Sequence, residues 1–200
     1  MENEYKIIKL GPEHNYGQCI LSDEYKIIYI LIPKNASSSM RIYLKEKLNG
    51  YEFNYFNCSE EQKKYYTFCI FRNIEERFYS AINTILIRKK SDISNMNNNN
   101  IQNFVDNMID EHLIRQIEFI KNIRIDYFLN FDNLHNLINK IKKVNIRNKN
   151  IDEKMIINID INALNAVYAK DEEIYNKIIT LDENKYAEFK KKLLFDTIGN

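Results

Sequence analysis

Tyr25–Leu48, YKIIYILIPKNASSSMRIYLKEKL, is the stretch whose reading decides the fold. It opens with Lys26-Ile27-Ile28-Tyr29-Ile30-Leu31-Ile32, an almost unbroken apolar run rich in β-branched residues. Such a run reads as a strand buried on both faces of a parallel sheet. Pro33 has no N–H to give to a ladder and ends the strand. Small and polar residues follow, Asn35-Ala36-Ser37-Ser38-Ser39, and Met40–Leu48 then resumes with helical spacing. In a strand–loop–helix unit the free N–H groups of the first helical turn point into the loop, where an anion is held. Lys34 adds a positive charge and the three serines add hydroxyl donors, so the loop is read as a phosphate or sulfate site.

Outward from this stretch, 200 residues suit one domain spanning 1–200, with its core expected between 25 and 180. The apolar fraction of 44% and charged fraction of 28% are those of an ordinary globular chain. A net charge of +1 exerts no bulk pull on nucleic acid or membrane, so any preference for anions must be local. Asn and Ile are heavily over-used, which is read as a bias toward AT-rich codons. The first residues, MENEYKIIKLGPEH, are charged and lack the apolar core of a signal peptide, and no apolar run approaches the ~18 residues of a membrane span. Cys19, Cys58 and Cys69 are odd in number and unpaired in spacing, which suggests neither a disulfide framework nor a zinc site. The expected setting is a reducing cytoplasm. A glycan on the Asn35-Ala36-Ser37 sequon would block the loop, which agrees with that setting.

Along the chain, Tyr5–Leu10 is a candidate edge strand, with turns at Gly11-Pro12 and Asn15-Tyr16-Gly17. Tyr51–Asn57 is a candidate short strand and Ser59-Glu60-Glu61-Gln62 a helix start. Tyr65–Phe71 is the second buried strand, running into Arg72-Asn73. Asn73 makes an N-cap for a helix to about Lys90, with Glu75 and Glu76 in its first turn. Ser91–Asn100 (SDISNMNNNN) reads as a flexible surface loop or lid. Helices are expected at 101–109 and 110–122, a third strand at Tyr127–Phe131, and an Asp132-capped helix to Lys143. A strand at Met155–Ile161 and helices near 164–180 and 182–195 complete the chain. Strands alternating with helices predict an α/β fold: a single P-loop-like three-layer domain with a central, mostly parallel sheet flanked by helices.

In an open α/β sheet, ligands sit beyond the carboxyl ends of the strands. Arg72 stands at that mouth, and Ser80, eight residues on, lies about two helical turns further on nearly the same face. A planar guanidinium fork and a hydroxyl suit a second phosphate. Arg77 lies off that line and is expected to pair with a carboxylate. The basic run Lys140, Lys142, Lys143, Arg147 and Lys149 reads as a solvated helix face.

The two blocks IYILIPKNASSSM and FCIFRNIEERFYSAI resemble the signature blocks of the sulfotransferases, most closely the Golgi carbohydrate type. Lys34, Ser37, Ser38 and Ser39 match the first block, and Arg72, Arg77, Phe78 and Ser80 match the second, although Asn73-Ile74 replaces its usual Asp-Pro. Weaker echoes follow in order at Asp110–Gln116, Tyr127–Leu134 and Val167–Tyr175. The resemblance implies a donor, 3′-phosphoadenosine 5′-phosphosulfate (PAPS), leaving adenosine 3′,5′-bisphosphate as product. By the same resemblance Pro33, Lys34, Asn35, Ala36, Ser37, Ser38 and Ser39 take its 5′ end, and Arg72 and Ser80 take its 3′-phosphate. The implied reaction is sulfuryl transfer to an acceptor hydroxyl, a glycan in the family's usual case. Lys34 is expected to stabilise the leaving oxygen. The acceptor proton needs a base near neutral pKa, and of His14, His112 and His135, His112 falls in a matched segment, with Glu111 in reserve. No metal is required by this chemistry and no metal-ligand spacing is visible.

Two other readings compete. A P-loop nucleotide kinase shares strand, loop and lysine, yet the GxxxxGK[ST] pattern and an obvious Mg²⁺-holding Asp are missing. A non-catalytic nucleotide-binding module on the same fold is the other. Oligomeric state and acceptor identity stay open.

Overall fold

Ile27, Tyr29 and Leu31 face one side of a central sheet while Ile28, Ile30 and Ile32 face the other, and all six are buried. This alternation is the period-two consequence of pleating, and it puts apolar layers on both faces. The computed structural model describes residues 16–89, 110–138, 161–180 and 182–193. Five strands lie in the order β3-β1-β2-β4-β5, namely β1 (Gln18–Ser22), β2 (Ile27–Ile30), β3 (Tyr51–Asn54), β4 (Tyr66–Phe71) and β5 (Tyr127–Asn130). β2 pairs parallel with β4, with Ile30 opposite Cys69, and β4 pairs parallel with β5, with Ile70 opposite Leu129. β1 pairs antiparallel with both β2 and β3.

The sheet is therefore mixed, where a mostly parallel one was expected. The reason is β1, a strand that sequence reading left unassigned. Its hairpin to β2 turns through Lys26 at φ 54° rather than through a glycine, so no composition signal marks the turn. The same turn removes Lys26 from the strand expected at 26–32. Tyr51–Asn57 divides into β3 and a 3₁₀ turn at Tyr55–Asn57. Ser59 and Gln62 form a reciprocal capping box that opens a further 3₁₀ turn, Gln62–Lys64.

On the first face, Met40, Tyr43 and Leu44 of α1 (Ser37–Lys47) pack with Leu134 of α4 (Phe131–Ile138) and with Phe189 and Leu193 at the end of α7 (Glu183–Lys192). On the second face, Tyr55, Cys58, Tyr65, Ile114, Phe119 and Ile120 cover Cys69 and Phe71. A third cluster joins Ile74, Phe78, Ala81, Ile82 and Ile85 of α2 (Ile74–Lys89) to Leu113, Leu164 and Tyr168. Each buried Ile, Leu or Phe contributes about 1.5–3 kcal/mol, whereas an exposed pair such as Lys45–Glu52 contributes about 0–1 kcal/mol. Apolar burial therefore sets the architecture.

The expected helix at 110–122 is instead a 3₁₀ turn at Glu111–Leu113 and a short α3 (Gln116–Phe119), with extended backbone at Ile114 and Arg115. Asp110 accepts from the backbone N–H of His112, which closes a tight turn and leaves no continuous helix. Asn130, not Asp132, caps α4, accepting from Asp132 N at 2.9 Å. The expected helix at 164–180 breaks at Tyr168 into α5 (Ile161–Val167) and α6 (Ala169–Ile179). The strand at Tyr5–Leu10, the turn at Gly11-Pro12, the loop 91–100, the helix at 101–109 and the basic run 140–149 lie outside the described residues. So does the strand at Met155–Ile161, except Ile161, where α5 begins. Among the described residues no helix is long and apolar enough to cross a membrane.

Candidate functional site

The loop after β2 makes a tight turn, with Asn35 N donating to Ile32 O at 3.3 Å. Pro33 occupies its second position and Lys34, at φ 69°, its third, which is the sign pattern of a type II turn. Ala36 is left-handed as well, at φ 57° and ψ 20°, and is the N-cap of α1. Alanine has no oxygen to accept from the first turn, and no side-chain cap is made. Ser37, Ser38 and Ser39 are thus the first three helical residues, with N–H groups that no capping side chain takes up. A loop with left-handed residues at 34 and 36, leading into an uncapped helix start, has the form of an anion cradle.

Lys34 extends its ammonium to α2, where Nζ donates to Thr84 Oγ1 at 2.5 Å. Thr84 in turn donates to the Ser80 backbone carbonyl at 3.0 Å, so Lys34 reaches α2 one turn beyond Ser80. Asn35, expected as a ligand contact, points its side chain inward. It is fully buried, and its Nδ2 donates to Ile70 O at 2.6 Å and to Gln116 Oε1 at 2.5 Å. Asn35 therefore holds the loop against β4.

Arg72 joins the carboxyl ends of all three parallel strands. Its guanidinium lies 4.3 Å from the centroid of the Phe131 ring, just after β5. Nη1 donates to Lys34 O at 3.4 Å, beyond β2. Nε is paired with Glu76 at 3.2 Å, a carboxylate that any anion at Arg72 would have to share. Asn73 accepts from Glu76 N at 3.2 Å and caps α2. Arg77 does not make the expected carboxylate pair. It is 2% exposed, its Nε donates to Pro33 O at 3.1 Å, and Nη2 has no hydrogen-bond partner. Burial lowers its pKa, partly offset by Asp171 and Tyr168. A buried guanidinium on the Pro33 carbonyl fixes the loop from below.

Two residues whose roles sequence reading missed bind these parts together. Gln116, 1% exposed, accepts from Asn35 and from Arg72 N at 3.0 Å, and donates to Arg72 O at 2.9 Å. One carboxamide thereby spaces the loop from the end of β4. Asp171 is fully buried and accepts from Gln116 N at 2.6 Å and Ile117 N at 2.9 Å. Burial raises the Asp171 pKa, opposed by Arg77 and by the two N–H donors. A sequence signal for Asp171 existed: it shares one helical face with the apolar Leu164, Tyr168 and Tyr175. Gln116 carried no comparable signal.

His112 is 7% exposed, and its Nδ1 lies 2.5 Å from Asp110 Oδ1. The next residue, Leu113, is buried against α2, and its carbonyl accepts from the Tyr168 hydroxyl. The side chains of His14 and His135 lie outside the described residues. No family model, curated protein or solved structure matches the chain.

Proposed function

We propose that the chain is a sulfotransferase on a P-loop-like domain. It binds PAPS beyond the carboxyl ends of β2 and β4 and transfers the sulfuryl group to an acceptor hydroxyl, a carbohydrate hydroxyl by resemblance. One observation carries the reading most: the uncapped start of α1, with Lys34 beside it and Arg72 bonded to the Lys34 carbonyl. The residues fit a ligand anionic at both ends, because the loop offers N–H groups and an ammonium while Arg72 offers a planar fork. When bound, the donor supplies the sulfuryl group.

The chain's own contribution is electrostatic and positional. The N–H groups of Ser37–Ser39 and the Lys34 ammonium favour negative charge gathering at the loop. Gln116 and Asn35 hold the loop and Arg72 at a fixed spacing, so neither must be ordered when a ligand arrives. His112 serves as the proton acceptor.

A second reading, a nucleotide-binding module without turnover, is favoured by the burial of His112, whose side chain is only 8% exposed. Calorimetric titration with adenosine 3′,5′-bisphosphate beside ATP·Mg²⁺ separates the donor readings. The bisphosphate is expected to bind, and Lys34→Ala and Arg72→Ala each to weaken it about ten-fold or more, as for charge-assisted phosphate contacts. Tight ATP·Mg²⁺ binding without bisphosphate binding would favour a kinase instead. Transfer of labelled sulfate from PAPS to a panel of sugars, peptides and phenols then decides between enzyme and module.

A further inference from the structure

The 3₁₀ turn at Glu111–Leu113 holds a polar pair that sulfuryl-donor binding leaves unused. Asp110 Oδ1 accepts from the His112 backbone N–H at 2.9 Å and lies 2.5 Å from Nδ1 of the same residue. One carboxylate oxygen thus sets both the backbone turn and the ring. We infer that Asp110 is the positioning residue for His112: it holds the proton on Nδ1 and leaves the Nε2 lone pair as the acceptor. This inference rests on the reading of the site as a sulfotransferase.

The physical argument begins with the ring. In a neutral imidazole one nitrogen is N–H and the other a lone pair, and the partner of the first decides the second. A carboxylate oxygen at Nδ1 can only accept, so the proton sits there. Nε2 is then an acceptor, and it is not one of the buried polar atoms that lack a partner among the described residues, so it is open to a donor from solvent or ligand. In the proposed reaction the donor that meets it is the acceptor hydroxyl.

The turn is also held at both ends. Leu113, beside the ring, is bonded through its carbonyl to Tyr168, and Gln116 is bonded to the loop and to Arg72. A ring pinned between such anchors stays at a constant offset from the anion cradle. In the step itself the acceptor O–H bond breaks and an N–H bond forms at Nε2. A bond forms from that oxygen to the sulfur of PAPS while the bond from sulfur to the 5′-phosphate oxygen breaks, and adenosine 3′,5′-bisphosphate leaves with that electron pair. The resulting imidazolium charge is matched by Asp110 across the Nδ1 bond.

The test uses the full chain labelled with ¹⁵N-histidine, with the His112 signals identified as those lost in His112→Gln. In the ligand-free protein, at a pH where the ring is neutral, Nδ1 is expected to be protonated and Nε2 bare. Asp110→Ala is expected to release the ring to the Nε2–H form, and to lower kcat for the best acceptor of the phenol and sugar panel about ten-fold or more. The KM values for PAPS and acceptor should stay within about two-fold in that variant. Asp110→Asn keeps an oxygen for the backbone turn and removes the charge, so it should fold as the wild type does while still lowering kcat.

A bare Nδ1 in the wild type overturns the inference whatever the activity. So does a protonated Nδ1 with unchanged kcat in both variants, and in that case bisphosphate binding still stands. Absence of both bisphosphate binding and sulfate transfer overturns the sulfotransferase reading, and the inference with it.

Discussion

Gln116 shows how much one side chain can decide. Its carboxamide, on a residue 1% exposed, meets Arg72 N and O and the Asn35 side chain. Gln116→Ala leaves two backbone groups of Arg72 without those partners, and each buried orphan costs about 1–3 kcal/mol. A loss of about 2–4 kcal/mol in urea unfolding is expected, with weaker bisphosphate binding in the folded fraction. An unchanged urea midpoint would show that solvent replaces the bonds. Asp171 gives a pH dependence. Its folded pKa is raised by burial, so the folded state binds its proton more tightly than the unfolded chain does. Its contribution to stability therefore improves as pH falls from the raised value toward the ordinary aspartate pKa of about 3.9, and is lost as pH rises back. Wild type should gain on Asp171→Asn over that window in urea midpoints. A gap that moves the other way would mean the two N–H donors outweigh burial.

At the scale of elements, the β2–loop–α1 unit was legible because a buried run, a proline and a resumed helical period occur in sequence. β1 was not, because Lys26 does at φ 54° what a glycine ordinarily advertises. The break at Ile114-Arg115 was hidden for another reason. It depends on Asp171, 55 residues from Gln116, which takes up the first N–H groups of α3. Positive φ also separates two substitutions. Gly17, at φ 74°, has the Phe56 ring 2.6 Å from where a Cβ would stand, so Gly17→Ala should cost at least about 1 kcal/mol. Ala36→Gly relieves a left-handed alanine while loosening the unfolded chain and losing a half-buried methyl. Those terms nearly cancel, and a change within about 0.5 kcal/mol is expected by thermal or urea unfolding. A large loss at Ala36→Gly would show that the methyl, not the backbone, matters there.

For the whole molecule, the core that α1 shares with Phe189 tests whether stability and ligand binding separate, since the loop leads into that same helix. Phe189 lies on the first face, fully buried, stacked on Tyr127 at 4.9 Å and edge-on to Phe68 at 5.1 Å. Phe189→Ala should cost about 3–5 kcal/mol in urea unfolding, with bisphosphate affinity unchanged where the variant is folded. An affinity loss matching the stability loss would show that this shared packing also sets the loop. The buried framework of the site was the less legible half. Lys34, Arg72 and Ser80 are marked by local motifs, whereas Asn35, Arg77, Gln116 and Asp171 act through bonds that join distant parts of the chain. The bond from Asn35 to Gln116 spans 81 residues and that from Gln116 to Asp171 spans 55. During synthesis at about 5–20 residues per second, the loop emerges roughly seven to twenty-seven seconds before its last brace. A nascent chain therefore carries the loop long before it carries the bonds that brace it.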